Sequence, residues 1–335
     1  MPKGSNKPLV ALTILIFVSA LPFASACIPA GRDGTPGSFV VKKGTKMGEI
    51  AHALKRKDLI LSEYLFLFCS LVAYKGRIVA GEYLLAPSMS PFRIAKKMAR
   101  GERKVYTLKI VEGYNLFTIS EAIGKAGIMD GKTFLQLAHT PKFLGSLGIP
   151  SDSLEGYLAP DTYFFSKETG ADEFLEKIAQ RTFRFFERED VQKSMREQNM
   201  DIFQVLSLAS IIEKEAKLEK EKGLISAVFH NRLRLGMTLD ADPTVIYGRE
   251  SFNRNLRKAD LSAETPYNTY RLKGLPKGPI CSPSRSSIMA ALFPENTDML
   301  YFVSRNDGSH VFSRTVQEHN RFVALYQKNK SRKQQ

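Results

Sequence analysis

The feature that most limits what this chain can become lies at its beginning. Leu9 to Pro29 form an almost uncharged apolar stretch of 21 residues, preceded by Lys3 and Lys7 with no acid before it. Such a stretch is long enough to cross a bilayer as one helix. The positive-inside bias would hold the basic flank in the cytoplasm and send everything after about residue 30 to the other side. The same segment carries the small-residue cleavage pattern Ala24-Ser25-Ala26, with Cys27 directly after it as in a lipoprotein signal, although Ala24 stands where leucine is usual. An uncleaved anchor, a lipidated Cys27 and simple secretion are three readings of one segment, and all three export the rest of the chain.

With 335 residues, 43% of them apolar, the exported part can bury a real core, and its length suggests two or three domains. Lysine and arginine outnumber acids by 49 to 34, a formal charge of +15 that is spread along the chain. This favours an anionic polymer or surface as partner, whether nucleic acid, anionic lipid or the stem-peptide carboxylates of a cell wall. The sequence has no zinc-finger spacing, RNP-like aromatic motif or Walker loop, and export removes the target, so nucleic acid is not expected as a partner. Cys27, Cys69 and Cys281 are far apart without a CxxC pair, and the five histidines are scattered without HExxH. No metal site, disulfide framework or cofactor is therefore expected. Cys69, inside the apolar run Tyr64 to Leu71, reads as a buried free thiol.

Arg32-Asp33-Gly34-Thr35-Pro36-Gly37 reads as a short linker, so ordered structure is expected from about Ser38. Val41-Lys42-Lys43-Gly44 is followed by Ile50-Ala51 and Leu54; 69 residues later Ile110-Val111-Glu112-Gly113 is followed by Ile119-Ser120 and Ile123. In each, a glycine stands three residues after an apolar strand residue and six before an isoleucine, which predicts strand, glycine turn and short amphipathic helix, twice. The first copy resembles a LysM module, a small fold that grips N-acetylated glycans; a structural or dimerising role fits the same pattern. Between the copies, Gly81 to Leu85 and then Pro91-Phe92 with Ile94 to Ala99 read as a further strand and helix. From about Leu154 the periodicity becomes mainly helical, with proline-containing loops, and Gln327 to Gln335 read as a basic, solvated tail.

Asp201-Ile202-Phe203-Gln204 has the form of a capping box opening a helix. On the helical wheel, Ile202, Val205, Leu206, Leu208, Ala209, Ile212 and Ala216 share one broad face, Lys214 points away, and Glu213 and Glu215 flank the face on opposite edges. A carboxylate at the border of an apolar face is partly desolvated, which raises its pKa and suits it to general acid work. Solvated boundary glutamates pairing with Lys217 or Lys220 fit the same pattern, and periodicity does not choose between Glu213 and Glu215.

The run Leu208-Ala209-Ser210-Ile211-Ile212-Glu213-Lys214-Glu215 resembles the signature helix of the MltG (YceG-like) endolytic murein transglycosylases. Further segments match in order: Leu154 to Tyr163, Val228 to Met237, Asp242 to Gly248, Pro266 to Tyr270 running into Gly274-Leu275-Pro276 and Gly278-Pro279-Ile280, and Tyr301-Phe302-Val303 with Gly308, His310, Phe312 and Glu318-His319-Asn320. The resemblance implies an α+β protein with an N-terminal transmembrane helix or signal in residues 1–30 and a LysM-like domain at 38–105. A second small α/β unit and connector would follow at 106–153, then a mainly helical catalytic domain at 154–326 and the tail at 327–335. It implies cleavage of the β-1,4 bond between N-acetylmuramic acid and N-acetylglucosamine inside a strand, leaving a 1,6-anhydro end, and it places the catalytic glutamate at Glu215.

A single acid suits a lytic route, since hydrolysis normally uses a second carboxylate. Glu213, Glu155, Asp242, Thr244, Tyr267, Asn268 and Thr269 are expected to bind substrate or support the site, with Glu155 in reserve for orienting Glu215; turn chemistry is the competing reading for the loop residues. Asp240 stands where the family usually has glutamine, Lys277 where proline is common, and Ser282 and Ser284 where an Asn-Pro-Gly turn is usual. An extra carboxylate at Asp240 could admit some hydrolysis. The implied setting is the bacterial inner membrane, with the catalytic domain outside the cytoplasm and peptidoglycan strands as substrate. Penicillin-binding proteins and other wall-synthesis proteins are the implied partners. A non-catalytic wall-binding scaffold and an envelope glycoside hydrolase are the alternatives.

Overall fold

The computed structural model describes residues 28–32, 34–166, 169–248 and 256–328. The anchor reading of Leu9 to Pro29, apart from its last two residues, and Cys27 lie outside the described residues, as does most of the basic tail. No helix among the described residues is long and apolar enough to cross a membrane. The chain is α+β and forms two compact units. One comprises the described residues up to Tyr106 together with Phe164–Gly170; the other comprises Thr107–Tyr163 and everything described from Ala171 onward.

The first unit runs β1 (Gly37–Val41), α1 (Met47–Arg56), α2 (Glu63–Tyr74), β2 (Gly81–Leu85) and α3 (Pro91–Arg100). β1 and β2 pair antiparallel, Gly37 opposite Leu85 and Val41 opposite Gly81. Alternation along β1 sends Phe39 and Val41 inward, and the helical spacing of α1 sends Ile50, Ala51 and Leu54 to meet them. Phe66, Tyr83, Leu85, Ile94 and Met98 close this core. Cys69 is buried within it, as expected from its apolar run. Ser62 and Ser90 cap α2 and α3 by accepting from the backbone three residues on, and Gly101, in the left-handed region, ends α3.

The second unit opens with β3 (Tyr106–Ile110), followed by α4 (Leu116–Lys125), α5 (Gly131–Ala138) and α6 (Pro141–Ser146), then β4 (Asp161–Phe165), which pairs with β3. The chain passes between the units within these two strands. Helices then dominate: α7 (Ala171–Phe186), α8 (Glu189–Gln198), α9 (Ile202–Glu215), α10 (Lys222–Arg234), and the short α11 (Asp242–Tyr247) and α12 (Lys258–Leu261). They are followed by α13 (Arg285–Leu292), the antiparallel hairpin β5 (Tyr301–Ser304) and β6 (His310–Ser313), and α14 (Val316–Val323).

The strand, glycine and helix pattern is realised in both copies. Gly44 (φ +86°) follows β1 and Gly113 (φ +76°) follows β3, each in the left-handed region where a side chain is strained. The predicted core residues Ile50 and Leu54 in one copy, and Ile119 and Ile123 in the other, are buried. Leu54 is fully buried in the smaller unit, so Leu54→Ala should cost about 2–5 kcal/mol through lost burial and a cavity. Urea unfolding of the variant should show the lowered midpoint; an unchanged midpoint would contradict this packing.

Candidate active site

The site is built at the C-terminal end of α9. The capping box exists: Asp201 Oδ1 accepts from the Gln204 backbone N–H at 2.8 Å, and Gln204 Oε1 accepts from the Asp201 N–H at 3.0 Å. The wheel, however, described the helix as one-sided, and the structure buries every residue from Val205 to Ile212. Helices α10, α11 and α13 all pack against α9, so Ile211, Ser207 and Ser210 are enclosed along with the apolar face. The serines tolerate this because Ser207 donates to Phe203 O at 2.7 Å and Ser210 donates to Ser207 O at 2.7 Å, while Ser210 Oγ accepts from the Ile280 N–H at 3.0 Å.

Glu213 and Glu215, two residues apart on the last turn, meet opposite environments. Glu213 Oε2 accepts from Ser284 Oγ at 2.5 Å, Ser287 Oγ at 2.6 Å and the Ser284 backbone N–H at 3.0 Å, with Lys222 Nζ at 3.5 Å. Burial alone would raise its pKa, but these donors and the ammonium outweigh it and hold the carboxyl below its usual value. Ser284 is also the N-cap of α13, so a residue that departs from the family pattern fastens two helices together. Glu215 is the last helical residue; Ala216 is already extended. Its carboxyl has no hydrogen-bond or ion-pair partner among the described residues. Burial, reinforced by the negative charge of Asp242, pushes its pKa up to about 8.

Glu215 lines a cleft of about 510 Å³ together with Arg232, Asp240, Asp242, Tyr270, Tyr301, His310 and His319. Arg232, buried on α10, organises the walls. Its Nε donates to Leu300 O at 2.7 Å, and its Nη1 donates to Leu239 O at 2.9 Å and Asp240 Oδ2 at 3.0 Å. The guanidinium also lies over the Tyr301 ring at 5.2 Å. Asp240, in the left-handed region at φ +51°, is therefore an ion-paired wall residue. Asp242, the first residue of α11, accepts from Tyr270 Oη at 2.7 Å, and burial and this bond raise the Tyr270 pKa. His310 is set by Glu221, whose carboxylate accepts from the His310 backbone N–H at 3.1 Å and lies 2.8 Å from Nδ1. Burial and the nearby Arg232 charge lower the His319 pKa.

The other expected residues lie behind this wall. Thr244 and Thr269 are fully buried and bonded to each other at 2.8 Å, and Thr269 Oγ1 accepts from the Ala241 N–H at 3.0 Å, so together they hold Asp240 and the start of α11 that bears Asp242. Asn268 is fully buried and ties its own loop to Ala263 O at 2.6 Å and Leu261 O at 3.1 Å. These three support the cleft and do not line it. Tyr267 packs edge-on against Tyr247 at 4.8 Å, away from the cleft lining. Glu155 is buried; its Oε2 accepts from the Leu116 N–H at 3.0 Å and from Tyr247 Oη at 2.8 Å. Burial pushes its pKa up to about 7. Lys277 makes an exposed ion pair with Asp152 at 2.5 Å, and Ser282 bonds through its backbone to Tyr114 O. Arg232, Tyr270, Tyr301, His310 and His319 lie in segments quoted for the resemblance, but nothing local in the sequence marks them as wall residues. Among the described residues, no set of three or more His, Cys, Asp or Glu side chains is grouped to hold a metal ion.

A desolvated, protonated carboxyl at a rigid helix end, facing a cleft of polar and aromatic groups, is an apparatus for general acid catalysis. The chain belongs to the YceG-like family, whose profile matches residues 39–325. It is 31% identical over 324 residues to the endolytic murein transglycosylase of Bacillus subtilis strain 168, covering 91% of this chain and 89% of that protein. It is 28% identical over 327 residues to the endolytic murein transglycosylase of Streptococcus pneumoniae strain D39, of whose length the match spans 58%. A crystal structure of a yceG-like protein from Listeria monocytogenes is similar at a TM-score of 0.59 and 31% identity, over 87% of this chain and 100% of that one.

Because the Glu215 pKa is raised on folding, the folded state holds this proton more tightly than the unfolded chain does. Folding stability therefore falls as pH rises from about 4.5, the ordinary glutamate value, to about 8. Glu215→Gln should accordingly stabilise the fold above pH 8 by about 1–3 kcal/mol, the cost of an unsatisfied buried group, with the gain vanishing below about pH 4.5. Thermal unfolding of both proteins across this range provides the check, and a pH-independent difference would contradict the assignment.

Proposed function

We propose that the chain is an endolytic murein transglycosylase, with Glu215 as its acid and base. The observation that carries this reading is the contrast on one helix turn: Glu213 is bonded through Oε2 and ionised, whereas Glu215 is desolvated, without a partner among the described residues and open to the cleft. Protonated Glu215 donates to the glycosidic oxygen between N-acetylmuramic acid and N-acetylglucosamine as the C1–O4 bond breaks. The resulting carboxylate accepts the proton of the same sugar's 6-hydroxyl as C1–O6 forms, so no water enters and the new end is a 1,6-anhydro sugar. One carboxyl serves both steps and finishes in its starting state. The substrate's N-acetyl group helps stabilise the cationic centre. The Arg232 Nη2 group, not used in the bonds that tie the cleft wall, provides a donor for sugar oxygens, and the Tyr270 oxygen, whose hydrogen goes to Asp242, accepts from a sugar hydroxyl.

The antiparallel β1 and β2 around α1 and α2 support reading residues 38–105 as a LysM-like glycan-binding domain. Leu9 to Pro29 support an inner-membrane anchor, or a lipid anchor at Cys27, that places the enzyme beside nascent strands. Its role there is to end strand elongation by cutting, alongside penicillin-binding proteins and other wall-synthesis proteins.

Asp242 favours a second reading. Its charge adds to burial in raising the Glu215 pKa, and a carboxylate beside an acid can activate water, which would give hydrolysis and a reducing end. Mass spectrometry of peptidoglycan strands incubated with the full chain separates the two. Anhydro-muramyl ends, reduced about 10²–10⁴-fold by Glu215→Gln and retained by Asp242→Asn, are expected. Reducing ends that depend on Asp242 would replace the lytic reading with the hydrolytic one.

A further inference from the structure

A second cavity of the larger unit, about 390 Å³, lies among Glu112, Asp161, Arg181, Phe185, Ser284 and Arg285. Arg181 and Asp161 form an ion pair and neutralise each other. Among the described residues Arg285 has no carboxylate partner; its guanidinium is held over the Phe185 ring at 5.5 Å. Glu112 has no hydrogen-bond or ion-pair partner among the described residues. The backbone joins the loop that bears Glu112 to the segment leading into Arg285 at the start of α13: the Gly113 N–H donates to Ser282 O at 2.9 Å and the Ser282 N–H donates to Tyr114 O at 2.7 Å.

A cavity that presents one unpaired guanidinium and one unpaired carboxylate suits a ligand carrying both charges, and Glu112 would repel a simple polyanion. Stacking on Phe185 orders the guanidinium in advance, so little rotamer freedom is lost when it grips a carboxylate through paired N–H groups. The cavity is also coupled to the acid. Ser284, in its lining, donates to Glu213, and Lys214 Nζ donates to Gly113 O at 3.3 Å, so the loops that form it clamp the turn ending at Glu215.

We infer that this cavity is a subsite for the peptide stem of the murein strand, with Arg285 taking a stem carboxylate and Glu112 a stem amino group. The inference rests on the function proposed above and adds to it a requirement for peptide. Substrate whose stems have been removed lacks both contacts and should be cut less efficiently.

Two measurements on the full chain in detergent test it. Calorimetric titration with the murein tripeptide L-Ala-γ-D-Glu-meso-diaminopimelate should show binding that Arg285→Ala and Glu112→Gln each weaken at least about tenfold, or about 1.4 kcal/mol. The ratio of kcat/KM on peptide-bearing strands to that on peptide-free strands should fall by a similar factor in both variants, while Lys132→Ala keeps the native ratio. Absence of tripeptide binding, or equal binding by native chain and variants, overturns the subsite. Anhydro products with an unchanged ratio also overturn it and leave the transglycosylase reading intact. Tripeptide binding without any strand cleavage defeats the transglycosylase reading alone, since the titration reads the subsite directly.

Discussion

The bond network around Glu213 is the constraint on which the rest of the site depends. Three hydrogen bonds from Ser284 and Ser287, with the Lys222 ammonium beside them, pin the last turn of α9 to the start of α13. The lysine is itself buried and bonded to Glu219, Ser284 and Ser286, so removing any member would leave a charge or donor stranded in a low-dielectric setting. The helix cannot rotate or fray at this end without breaking that network. Glu215 follows two residues later, and its direction is inherited from the anchor that Glu213 provides.

A rigid end matters because Glu215 is held in an unfavourable place. Its carboxyl is desolvated and faces the charge of Asp242, and the surrounding fold must compensate for keeping it there. Arg232 contributes by tying α10 to the loop at Leu239 and Asp240 and to Leu300 beside β5. The buried pair Thr244 and Thr269 contributes by joining α11, which bears Asp242, to the loop that bears Tyr270. The cleft wall is therefore assembled from segments far apart in sequence and fixed by bonds that lie behind the surface a substrate would touch.

That construction explains what could be read in the sequence. The elements with local signals were legible: the two strand, glycine and helix units, the capping box at Asp201 and Gln204, and the buried thiol at Cys69. Periodicity failed in the middle of α9, because a helix enclosed on several sides has no single apolar face and Ile211 is as buried as Ile212. It also could not separate Glu213 from Glu215, since the serines and lysine that ionise one of them come from α10 and α13. Thr244, Asn268 and Thr269 have the polar chemistry of sugar contacts, yet each spends its hydrogen bonds on neighbouring backbone or on the other threonine. The wall at Tyr301, His310 and His319 has no local signature, and its place is set by the β5–β6 hairpin and Glu221.

The separation of the two glutamates is most directly tested by titrating their side-chain carboxyls by NMR in protein carrying ¹³C-labelled glutamate, with Glu213→Gln and Glu215→Gln used to assign the signals. The expected result is one carboxyl, Glu215, titrating near pH 8 and another, Glu213, titrating below the ordinary glutamate value of 4.5. Two carboxyls that both titrate near 4.5, or the reverse order, would contradict the division of roles on which the site is built.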